Sequence, residues 1–112
     1  MSPPDVPISP EELDGDVASS QASLVGIGCQ SGDTVMGLSA VRRTRELAFV
    51  FADAEVAEGT MAELARLQRT GTRVYRVSPL SEMTQTAGRE DVSVLGVKRG
   101  SLADGMGEKL KG

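Results

Sequence analysis

Histidine is absent from this 112-residue chain, tryptophan is absent too, and there is a single cysteine, Cys29. The missing imidazole removes the commonest general base and metal ligand. A lone thiol with no imidazole to deprotonate it is a poor nucleophile, and no Cys/His cluster exists to hold zinc. One cysteine forms no internal disulfide, which fits a reducing compartment. Aromatics number three, Phe49, Phe51 and Tyr75, so the core has to be aliphatic. No apolar run approaches the roughly 20 residues that span a bilayer. The N-terminus also lacks the basic-then-apolar order of a secretory leader, so the chain is expected to be cytoplasmic. The expectation is a protein that is not an enzyme and carries no cofactor or metal.

What remains is enough for one domain. Hydrophobic residues make up 39% of the chain, and its length is near the commonest domain size. The net charge of −4 is unevenly placed: Asp5, Glu11, Glu12, Asp14 and Asp16 occupy the first twenty residues with no base among them. The remainder holds 12 bases against 11 acids, close to neutral at +1. Its bases are grouped as Arg42, Arg43 and Arg45, then Arg66, Arg69, Arg73 and Arg76. Clustered arginines attract phosphates at close range because salt screens the distant acids. The bland alternative is a mixed, solvated surface.

Residues 1–8 hold three prolines and no periodicity, and are expected to form a flexible arm ahead of a domain over 9–112. Ser9-Pro10-Glu11-Glu12 has the pattern of a capped helix start. A helical stretch follows over 18–30, where Gly26 and Gly28 either weaken the helix or let a neighbour pack closely. An extended piece covers 33–36, Gly37 breaks it, and a short helix runs from Leu38 to Arg45. Leu47-Ala48-Phe49-Val50-Phe51-Ala52 is apolar on both faces, which places it in the middle of a covered sheet. Thr60 and Glu63 form a second capping box, opening a helix with Met61, Leu64, Ala65 and Leu67 inward and Gly71 at its left-handed end. A strand over 72–77 follows. Ser78-Pro79 then caps a short helix to Ala87, residues 88–91 turn, and a strand covers 92–97. Ser101 and Asp104 begin the last helix. Alternating strands and helices imply an α/β fold, a three-layer α-β-α sandwich with a small mixed sheet.

Two local patterns invite chemistry and fail. Gly26-Ile27-Gly28-Cys29-Gln30-Ser31-Gly32 has a glycine-rich look, but no strand precedes it and the spacing misses the phosphate-loop pattern. The pairs Asp53 with Glu55 and Glu90 with Asp91 fall at turns, where acids are ordinarily solvated. Asp53 is the stronger candidate, because loops after sheet strands often bear sites.

The run Ser31-Gly32-Asp33-Thr34-Val35-Met36-Gly37-Leu38-Ser39-Ala40-Val41-Arg42-Arg43 resembles the kink-turn-binding ribosomal protein family, L-seven-Ae/L-thirty-e, and its small bacterial relatives. Leu24 to Gly28, Leu47 to Asp53 and Gly88 to Val94 resemble further family segments in the same order. The resemblance implies the family's α-β-α sandwich and docking on structured RNA, with no DNA and no membrane as partner. It places RNA contacts at Gly37, Leu38, Ser39, Arg42 and Arg43, at Asp53, and at the loop Ser78, Pro79 and Leu80. Leu38 and Ser39 stand where the family has the Asn and Glu that read guanine edges, and Thr84 stands where it has a glycine. Arg42 keeps the charge of the family's lysine, Arg43 adds another, and Ser78 to Leu80 is expected to wedge an apolar surface against an unstacked base. A protein-interaction module of the same fold is the alternative. A relative of the substrate-binding domain of knotted-fold RNA methyltransferases is a third reading, also without catalysis.

Overall fold

The computed structural model describes residues 11–85 and 92–111. Five strands form one mixed sheet: β1 (Glu11–Asp14), β2 (Thr34–Met36), β3 (Leu47–Asp53), β4 (Arg73–Ser78) and β5 (Val94–Lys98). They lie in the order β1-β4-β3-β5-β2. β1, β4 and β3 run parallel, and β5 is antiparallel to both β3 and β2. The helices are α1 (Gly15–Ser20), α2 (Ala22–Ser31), α3 (Leu38–Arg43), α4 (Glu58–Ala65), α5 (Ser81–Thr84) and α6 (Ser101–Lys111), with a 3-10 turn over Arg66–Thr70.

The expected α/β sandwich with a mixed sheet is what the chain forms. Val41 of α3 and Met61 and Leu64 of α4 pack on Val50, Ala52, Val74 and Val94. On the opposite face, side chains from α1, α2, α5 and α6 cover Phe51, Tyr75, Val77 and Leu95. β3 occupies the centre with Phe49 and Phe51 both buried. An apolar run reads as a central strand because each alternate side chain meets a covering layer. The pairing with β5 slips by one residue between Leu47 and Phe49. The bulge lets Ala48 and Phe49 both face the α6 side, while Leu47 stays on the α3–α4 side.

Three sequence expectations are corrected. Glu11–Asp14 is an edge strand, not a helix start: Glu11 lies opposite Tyr75 and Asp14 opposite Ser78. The carboxylate of Asp14 then caps α1 by accepting from the Val17 N–H at 2.9 Å. A row of open backbone groups on β4 outweighs the local helix preference of two glutamates. α4 begins a turn early, at Glu58 after Ala57, so Thr60 lies inside it and Glu63 points elsewhere. The helix after β4 starts at Ser81 with no side-chain cap, and a cis peptide joins Ser78 to Pro79. Gly71 does take the left-handed conformation, with φ 94°. The expectation of a flexible arm over residues 1–8 and of a turn over 88–91 lies outside the described residues.

Gly26 to Gly32 is the interior and end of α2, not a phosphate loop. A Cβ at Gly28 would overlap Thr34 Oγ1 of β2 and Leu102 Cδ2 of α6, so glycine there permits three elements to meet.

Candidate nucleic-acid interface

β1, β3 and β4 run parallel, β2 runs with them, and their carboxyl ends gather on one rim. In open α/β sheets that rim is where ligands ordinarily bind. It holds Gly37, Asp53, Ser78, Pro79 and Leu80 together. Gly37 N–H donates to the Val94 carbonyl at 2.8 Å, and Asp53 N–H to the Ser93 carbonyl at 2.8 Å. Gly37 has φ 96°, a conformation glycine favours, with open space where a Cβ would stand.

Asp53 organises this rim. One carboxylate oxygen accepts from the Leu80 N–H at 2.9 Å and the other from the Glu55 N–H at 2.9 Å. A single side chain therefore ties the loop after β3 to the loop after β4. Both oxygens are engaged by backbone donors, so Asp53 serves the loops' geometry.

Leu80 corrects the expected apolar wedge. It is fully buried against the α1–α2–α5–α6 side of the sheet, and only Ser78 and Pro79 of that loop are exposed. Leu38, half-buried, packs against the α3–α4 core. Its isobutyl group fills space there. Ser39 is exposed beside it.

The arginines lie away from the rim. At about 1.5 Å per residue, Arg42 and Arg43 stand roughly 8 Å along α3 from Gly37. Both are exposed, while Val41 between their turn and the sheet is buried. Arg42 donates from Nε and Nη2 to the two carboxylate oxygens of Glu63, both at 2.7 Å. That pairing holds the Glu63 carboxyl below the usual carboxylate range, with Arg66 adding to the effect, and raises the Arg42 guanidinium. Arg43 has no ion-pair partner among the described residues. The described rim itself is acidic, with Asp14, Asp53 and Glu55 there, so the sequence-predicted site divides into an acidic rim and a basic helix face.

Sequence reasoning missed the acidic strand's role and a second concavity. Glu11 reaches toward Arg73 at 3.9 Å, and Glu12 is the register partner of Arg76. Nothing in the spacing of Glu-Glu-Leu-Asp announces that it pairs beside those arginines. At the opposite end of the sheet from the rim, a cavity of about 550 Å³ is lined by residues of β3, β4 and α6 and of the segments preceding β4 and α6, including Arg73, Arg99, Asp104 and Glu108. Among the described residues no group of three or more His, Cys, Asp or Glu could hold a metal. No described helix is long and apolar enough to cross a membrane.

No family model and no curated protein matches this chain. Among solved structures it is similar to a Bacillus halodurans protein of unknown function, at 15% identity and a TM-score of 0.65. The alignment covers 84% of this chain and 99% of that one. At that identity the likeness establishes the shared α/β fold alone.

Proposed function

We propose that this chain is a non-catalytic, cytoplasmic RNA-binding protein that docks on structured RNA through the outer face of α3. The observation that carries the reading is the exposure of Ser39, Arg42 and Arg43 on one short helix whose inward side is closed by Val41. Guanidinium forks on an outward face suit phosphate oxygens. They are among the positions that the resemblance to kink-turn-binding ribosomal proteins marks for RNA contact. Gly37 N–H is already bonded and Leu80 is core, so the contribution falls on the arginines and on Ser39. Leu38 offers no hydrogen-bonding group to a guanine edge, so discrimination between a kink-turn and a simple bulged duplex is weak.

The test is the double variant Arg42→Ala with Arg43→Ala against both RNAs over a range of salt. Affinity should fall across sequences. The log-log salt slope should become shallower by about 0.7–0.9 for each phosphate that the variant no longer neutralises. Folded wild-type protein that binds neither RNA at low salt overturns the reading.

A second reading, a protein-interaction module of the same fold, is favoured by the Arg42–Glu63 pair and by the acids on the rim. Both make the surface less attractive to phosphate. A pull-down from extract with and without nuclease separates the two: a partner that survives nuclease and stays bound supports the module.

A further inference from the structure

The cavity at the far end of the sheet has two walls of opposite charge that do not meet. One wall carries Arg73 on β4 and Arg99 after β5; the other carries Asp104 and Glu108 of α6. Asp104 and Glu108 are four residues apart, which puts them on one helix face. No ion pair within 4.0 Å joins either arginine to either acid among the described residues.

Each arginine is held in place by something other than those acids. The Arg73 guanidinium lies over the rings of Phe49 and Tyr75, with its carbon 5.9 and 5.3 Å from their centroids. Stacking of this kind fixes the plane of the fork and leaves its edge donors available. The approach of Arg73 to Glu11 is long, at 3.9 Å. Arg99 Nη2 donates to the Thr70 carbonyl at 3.3 Å.

The floor between the walls is apolar and low. The bulge in β3 turns both Ala48 and Phe49 toward it. On α6, Ala103 and Gly107 face the same space, and a Cβ at Gly107 would stand 3.6 Å from Phe49 Cζ. Small residues thus let the helix approach the strand.

We propose that this cavity binds a free α-amino acid, its carboxylate on Arg73 and Arg99 and its ammonium on Asp104 and Glu108. Two guanidinium forks fit one carboxylate, and two carboxylates fit one ammonium. An apolar side chain lies on Phe49, Ala48 and Ala103. The volume is within the range of small-molecule sites. This site is separate from α3, and its occupancy does not depend on the RNA reading.

The experiment is a nitrogen-15 NMR titration of the full chain with L-leucine, L-phenylalanine, L-lysine and L-glutamate. N-acetyl-L-leucine, L-leucinamide and inorganic phosphate serve as probes lacking one or the other charge. Saturable shifts at Gly71, Arg73, Ala103 and Gly107 are expected with at least one free amino acid. Deleting either charge from leucine, if leucine binds, or from whichever amino acid binds best, should weaken binding roughly ten- to hundredfold, the ordinary contribution of charge-assisted hydrogen bonds. Arg99→Gln, and separately Asp104→Asn with Glu108→Gln, should weaken it comparably without disturbing the rest of the spectrum, because all three side chains are exposed. No saturable shift with any free amino acid overturns the proposal. Equal binding of phosphate or the acetylated form overturns it too, since the site would then read only negative charge.

Discussion

Arg42 and Glu63, twenty-one residues apart, share two parallel hydrogen bonds of 2.7 Å that join α3 to α4 over the outer side of the sheet. The carboxylate occupies the place on the guanidinium fork that a phosphate oxygen pair would take. Glu63→Gln should therefore strengthen RNA binding at low salt, and Arg42→Ala should weaken it. The melting temperature should move little in either variant, since both partners are exposed and such pairs contribute little. Unchanged affinity in Glu63→Gln, with RNA binding otherwise intact, would show that Arg42 does not touch phosphate.

The same pair has a pH signature. Glu63 titrates below the usual carboxylate range when folded, so its contribution is present above the unfolded value and is lost as pH falls through the folded one. A carboxyl-carbon NMR titration should find Glu63 ionised below the pH at which the solvated glutamates protonate. Arg42→Ala should return it toward the ordinary range. A Glu63 that titrates with the others in the wild type would contradict the pairing in solution.

Phe51 is fully buried at the centre of the sheet, its ring 5.3 Å from that of Tyr75. Phe51→Ala should destabilise the fold by about 3–5 kcal/mol, the transfer energy forgone plus a cavity. Denaturant unfolding measures it, and a change under about 1 kcal/mol would be incompatible with a central, doubly covered β3.

Gly28→Ala should be destabilising by about 1–3 kcal/mol even though alanine favours helix, because the added methyl has to displace Thr34 and Leu102. A stabilised Gly28→Ala variant would mean that α2 sits farther from β2 and α6 than described.

Gln21, between α1 and α2, is fully buried, and neither its amide nitrogen nor its amide oxygen has a partner among the described residues. Gln21→Met keeps the shape and removes two unsatisfied polar atoms, so it should raise stability, by up to about 1–3 kcal/mol. A drop in stability would reveal a hydrogen-bond partner for the amide.

Much of the architecture is legible in the chain itself. The run Leu47 to Ala52 is apolar on both faces, and only a central strand buries both. Gly71 follows an inward stripe of Met61, Leu64 and Ala65, and a left-handed helix end is what that order requires. Local chemistry decides such features, so they can be read locally. Glu11 to Asp14 resists reading because its helix-like pattern competes with backbone pairing to β4, a partner some sixty residues away. Leu80 has the sequence setting of an exposed loop residue and is core, because the Asp53 carboxylate draws the loop inward through the Leu80 N–H. The split between an acidic rim and a basic α3 face, and the meeting of Arg73, Arg99, Asp104 and Glu108 around one cavity, likewise required the tertiary structure. Sequence alone determined that Leu47 to Ala52 is a strand with two buried faces; chain crossings decided which charges face one another, because Coulomb and hydrogen-bond partners are chosen by distance in space.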